Sequence, residues 1–262
     1  MLTSGEIRGS RRGLKRTTRL ATIPLGVRRA PFLSCCFIVV IAAFLVLAVS
    51  ELHRSIAFAD MFVVAKQIEQ DGVVSPKSLS RVGSMPAEVV AGAYCRSDII
   101  MAATTVVLKQ IDNANEANDY EAWLSAVTVA EKFLQHALSC MPTNSNLWLR
   151  LAVVRAVVAE DPQATAQLMA QSVKLAPADQ MELLARLYFW NRFSEATLRS
   201  SSPWVEQDLD LLFQMGDPAQ IVQQIPNVRP ALIPYIKRAS ISLSESRKKL
   251  FARSGLDISK LP

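Results

Sequence analysis

The sequence predicts an all-α protein with one membrane-spanning helix near the N-terminus, followed by a domain of helical hairpins. Three observations carry this reading. Residues 30–50, APFLSCCFIVVIAAFLVLAVS, contain no charged side chain. The tail before them sets Arg8, Arg11, Arg12, Lys15, Arg16, Arg19, Arg28 and Arg29 against a single acid, Glu6. From Ser75 onward, apolar residues recur at helical spacing between prolines and capping residues, with no strand-like alternation. The chain divides into a basic tail (1–30), a transmembrane helix (31–50), a membrane-proximal helix (51–74) and a soluble helical domain (75–262).

About 20 apolar residues cross a bilayer as a helix, and the run from Phe32 to Val49 meets the lower end of that requirement. The lipid bilayer is therefore the first expected partner. Arg11, Arg12, Lys15, Arg16, Arg19, Arg28 and Arg29 set the topology. By the positive-inside rule they keep the N-terminus in the cytoplasm, which places the rest of the chain outside the inner membrane, in a bacterium the periplasm. Ala57-Phe58-Ala59 has the small-x-small form of a signal-peptidase site. The apolar run is longer than a signal peptide's, however, and Glu51, His53 and Arg54 separate it from Ala59, so an uncleaved anchor is expected. Cys35 and Cys36 open the run, whereas a lipidated cysteine would follow it; they read as apolar filler.

The net charge of +6 belongs to the tail, and the remainder of the chain is close to neutral. A nucleic-acid-binding domain needs clustered Lys and Arg on a folded face, so no nucleic-acid partner is expected.

Past the membrane, ELHRSIAFADMFVVAKQIEQDG continues at mostly helical spacing, with Gly72 as its stop. Ser97 reads as the cap of IIMAATTVVLKQID, and a long helix runs from about Asp119 to Ser139, closed by Pro142. Asn144 and Ser145 cap LWLRLAVVRAVV. Asp161-Pro162 opens QATAQLMAQSVKLA, which ends at Pro177. Ala178 to Asn191 forms the next helix. Further on, the pattern predicts a helix over 203–215 capped by Ser202 and stopped by Gly216, another from Asp217-Pro218, a short turn or helix between Pro230 and Lys237, and a helix capped by Ser244.

Within residues 119–193 the spacing of small and large residues resembles tetratricopeptide repeats, in a degenerate form. Ala130, Leu134, Ala137 and Pro142 fit the second half of one repeat. Trp148, Leu151 and Ala152 fit the first half of the next in the same frame, and Ala164 and Leu168 continue it. Pro177 and Tyr188 follow one residue late. Arg155 and Gln171 depart from the pattern. The resemblance implies a short α-solenoid whose concave face binds a partner. The short, proline-rich helices after Phe193 suit a solenoid's terminal cap.

Two cysteines, Cys95 and Cys140, lie in the soluble part, each near a helix end. An exported location favours a disulfide between them. The remaining inventory predicts no catalytic residue, no metal site and no cofactor. The two histidines, His53 and His136, have no metal-ligand spacing, and there is no phosphate loop or nucleophile elbow. Glu116, Asp119, Glu121 and Glu131 are carboxylates of a kind that any helical surface offers. Arg247, Lys248, Lys249 and Arg253 read as a solvated helix face or a dipole complement. The expected function is a membrane-anchored adaptor for envelope proteins. The alternatives are a module for a glycan or lipid-linked precursor, and an enzyme of unrecognised type.

Overall fold

A computed structural model describes residues 31–260. The tail residues assigned above to topology lie outside that range. The described residues contain α-helices, one short 3-10 turn at Ile258–Lys260 and no strand. They fall into two compact units, one ending at His53 and one beginning at Arg54.

Helix α1 spans Pro31–Ala57, longer than the predicted 31–50. Residues 34–57 are long and apolar enough to cross a membrane, and none of this stretch is buried in protein. At about 1.5 Å per residue the helix is about 40 Å long, which exceeds the roughly 30 Å hydrocarbon core of a bilayer.

The second unit opens with α2 (Ala59–Glu69), α3 (Pro76–Val82) and α4 (Met85–Ala91). The sequence predicted one unbroken membrane-proximal helix, but α1 and α2 are separated at Phe58 (φ −100°, ψ 11°). The Phe58 ring is buried edge-on against Tyr94, with centroids 5.4 Å apart. Its main chain still donates to Arg54 and accepts from Phe62, so the break is a local distortion. Helix α2 stops at Glu69, before Gly72, through Asp71 at φ 54°.

Four long helices follow: α5 (Ser97–Asn113), α6 (Tyr120–Cys140), α7 (Ser145–Val158) and α8 (Pro162–Leu175). Short polar side chains at the N-termini accept otherwise unpaired main-chain N–H groups. Asp119 accepts from Ala122, Asn144 from Leu147, and Asp161 from both Gln163 and Ala164. The cap of α5 differs from expectation. Arg96 occupies the N-cap position and Ser97 lies inside the helix. Asp98 instead pairs with Arg96 and accepts from Ile99, and the Arg96 hydrogen bond holds its carboxyl below the usual range.

Helix α9 (Gln180–Trp190) is capped by Asp179. The short α10 (Glu195–Ser200), which the sequence reading did not anticipate, precedes α11 (Ser202–Met215). Ser202 is the first residue of α11 and not its cap; its hydroxyl donates to Glu206. Then come α12 (Pro218–Gln224), α13 (Ile233–Ser240) and α14 (Glu245–Arg253), with α13 running past Lys237. Ser244 caps α14, accepting from Arg247.

Packing is mainly between neighbours in sequence. Helix α5 packs on α6, α6 on α7 and α7 most extensively on α8, while α2, α3 and α4 lie against α5. Helices α10 and α11 pack on α8, α11 and α12 on α9, and α13 on α11. Ala130, Ala137 and Ala152 are fully buried, as small side chains must be where helices approach closely, and Leu134, Leu151 and Leu168 are buried beside them. Trp148, Ala164 and Tyr188 are half-buried. Pro142 and Pro177 are exposed, just beyond the ends of α6 and α8.

Candidate functional site

Helices α5, α7 and α9 together line a groove with a cavity of about 400 Å³. The 3.6-residue period places Leu149, Val153 and Val157 of α7 along its centre. Leu108 and Ile111 of α5 form one wall, and Ala185, Tyr188 and Phe189 of α9 form the other.

The polar groups of the groove are connected. Arg150 donates from Nε to the side-chain oxygen of Asn146, and Asn146 donates from Nδ2 to Oε1 of Glu182 at 3.1 Å. Among the described residues Arg150 makes no other hydrogen bond, which leaves its two Nη groups as donors open to a partner, with the carboxylates of Glu182 and Asp112 nearby. The second carboxylate oxygen of Glu182 is buried and accepts nothing. Burial pushes the Arg150 guanidinium below its usual range, and the charges of Glu182 and Asp112 oppose that shift. Arg150 remains protonated, since arginine does not deprotonate in proteins. Asp112 lies exposed beside the groove. The site thus offers apolar walls, a charged donor and an acceptor.

The aromatic residues separate into two groups. Trp123 and Trp190 belong to the core. Trp190 donates to Asp208, and Trp148 donates to the Pro142 carbonyl. Tyr188 and Phe189 line the groove in T-shaped contact, 5.0 Å between centroids. The Arg192 guanidinium covers the Tyr188 ring at 3.3 Å from its centroid.

The candidate carboxylates take structural positions. Asp119 caps α6, Glu131 pairs with Arg155 at 2.8 Å, and Glu116 and Glu121 are exposed. Arg155, which departs from the repeat pattern, thereby ties α7 to α6. In the C-terminal basic cluster, Arg247 donates to the carbonyls of Phe213 and Gly216 and so complements the C-terminus of α11. Lys248 pairs with Glu245 within α14.

Cys95 and Cys140 are joined as a disulfide, with Cα atoms 5.2 Å apart. Beside them, His136 places Nε2 3.0 Å from the Tyr94 carbonyl oxygen and 3.7 Å from Cys140 Sγ. The ligand atoms of Cys95, His136 and Cys140 lie within 4.8 Å of one another. The sequence reading predicted the cysteine pair but no metal-ligating set. The available signal was the four-residue spacing of His136 and Cys140, which puts both on one face of α6. Cys95 joins them only through the fold. No family model matches this chain, and no curated protein or solved structure matches it.

Proposed function

We propose that this protein is a membrane-anchored adaptor that holds a segment of an envelope protein in the groove of α5, α7 and α9. In this reading α1 crosses the inner membrane, the basic tail lies in the cytoplasm and the helical domain lies in the periplasm. Helices α6 to α9 are read as degenerate tetratricopeptide-like hairpins, and the burial of Ala130, Leu134, Ala137 and Ala152 supports that reading. The exposed apolar surface of α1 supports the anchor, because such a surface requires a lipid environment or a partner. The uncleaved anchor is supported by Phe58, a buried core residue that cleavage after Ala59 would remove.

The observation that carries the proposal is Arg150, a half-buried guanidinium with unused donors between apolar walls. A peptide segment supplies what this groove lacks: apolar side chains for the walls and a carbonyl or carboxylate for Arg150. The test is photocrosslinking in cells from a photoreactive residue at Val153, with the exposed Lys132 on α6 as control. A discrete protein adduct at Val153 alone, weakened about tenfold by Arg150→Ala, is the expected result, given the strength of charge-assisted hydrogen bonds. Adducts of glycan or lipid mass would instead favour the precursor-binding reading, to which Tyr188 and Phe189 contribute stacking surfaces. A phosphatase reporter fused after Pro262 is expected to be active; an inactive fusion with an active cytoplasmic reporter would reverse the topology.

A further inference from the structure

We propose that Cys95, His136 and Cys140 form a redox-gated zinc site, closed as a disulfide in the oxidised protein and open when that bond is reduced. Three donors of the types zinc prefers converge within 4.8 Å. Zinc–sulfur and zinc–nitrogen bonds of about 2.3 and 2.0 Å at a tetrahedral angle set a sulfur–nitrogen edge of about 3.5 Å. The observed separation between Cys140 Sγ and His136 Nε2 is 3.7 Å. The imidazole and one sulfur therefore already stand at ligand spacing, and opening the S–S bond supplies the second thiolate.

The site is reachable. Cys95 is exposed, and His136 and Cys140 are half-buried. In the oxidised state Nε2 is positioned to donate to the Tyr94 carbonyl. Binding zinc requires the Nε2 lone pair, so the ring proton moves to Nδ1 and the Tyr94 hydrogen bond gives way. A water completes four-coordination, as in open zinc sites with three protein ligands.

The chemistry balances with an exported dithiol reductant. Its two thiols become a disulfide as the Cys95–Cys140 bond is converted to two thiols. Zinc then displaces one proton from each thiol, and its own oxidation state does not change. Either state links the segment before α5 to the end of α6, through sulfur–sulfur in one and through the metal in the other.

The test uses the full chain in detergent with Cys35→Ser and Cys36→Ser, so that the only thiols are those of the site. Cobalt(II) is the first probe and zinc(II) the competitor. After anaerobic phosphine reduction, one equivalent of cobalt is expected to bind with a thiolate-to-cobalt charge-transfer band, and zinc should displace it; the oxidised protein should show neither. His136→Ala should weaken binding by at least about tenfold. X-ray absorption on the zinc-loaded chain with His136 intact should show two sulfur neighbours and one imidazole, a result that does not depend on the variant folding. Absence of the charge-transfer band after reduction, unchanged affinity in His136→Ala, or a zinc shell lacking sulfur would each overturn the proposal.

Discussion

The carboxylate of Asp208, fully buried, accepts from Arg186 Nε at 2.7 Å, Arg186 Nη2 at 2.9 Å and Trp190 Nε1 at 2.9 Å. Arg186 also donates to the Ala176 carbonyl, but its Nη1 is buried with no acceptor. Removing one member leaves an uncompensated charge in the core, so Asp208→Ala should cost about 3–5 kcal/mol. The double variant Arg186→Met, Asp208→Leu removes both charges and should be clearly more stable than Asp208→Ala. Urea unfolding followed by tryptophan fluorescence measures both, and equal losses in the two variants would refute the account. Neither residue stood out in the sequence, because an Arg and an Asp 22 positions apart resemble any two surface charges until the fold buries them together. The caps Asn144, Asp161 and Ser244 were legible, because a cap is written in the few residues around it.

Local signals marked some helix ends and misplaced others: Ser97 and Ser202 lie inside their helices, and α2 stops before Gly72. Gly216 ends α11 as expected, and Asp217-Pro218 opens α12. The break at Phe58 carries no glycine or proline; it follows from the burial of that ring against Tyr94. Helix α13 runs on to Ser240 because Tyr235, Ile236 and Ala239 are all buried along it. Helix α1 was the most legible element, since length and apolarity alone define it. Leu45 lies near its middle and is exposed. Leu45→Arg should disfavour insertion by about 2.5–3.5 kcal/mol. Alkaline carbonate extraction should then release a larger soluble fraction of this variant than of the parent chain, and an unchanged membrane pellet would count against α1 as the anchor.

Across the molecule, the groove and the sulfur–imidazole cluster were the least legible features. Arg150, Asp112 and Tyr188 sit on three separate helices, and nothing in their local sequence says that those helices share a face. The cysteine pair was the exception, because the expectation of an exported domain and two nearby helix ends suggested it. A 45-residue separation gives the bridge a contribution of about 4 kcal/mol in the chain-entropy model. Labelling of the unreduced, denatured chain should therefore modify Cys35 and Cys36 and spare Cys95 and Cys140, and immediate reaction at all four would exclude the bridge. The neighbour-to-neighbour packing of the helices also bears on biogenesis. A chain that emerges N-terminus first can bury α5 against α6 while later helices are still being synthesised. Cys95 and Cys140, which flank that hairpin, can then be bridged before α7 and α8 are added. Asp208 lies in α11, so the charge partner of Arg186 becomes available only once that later helix has been made.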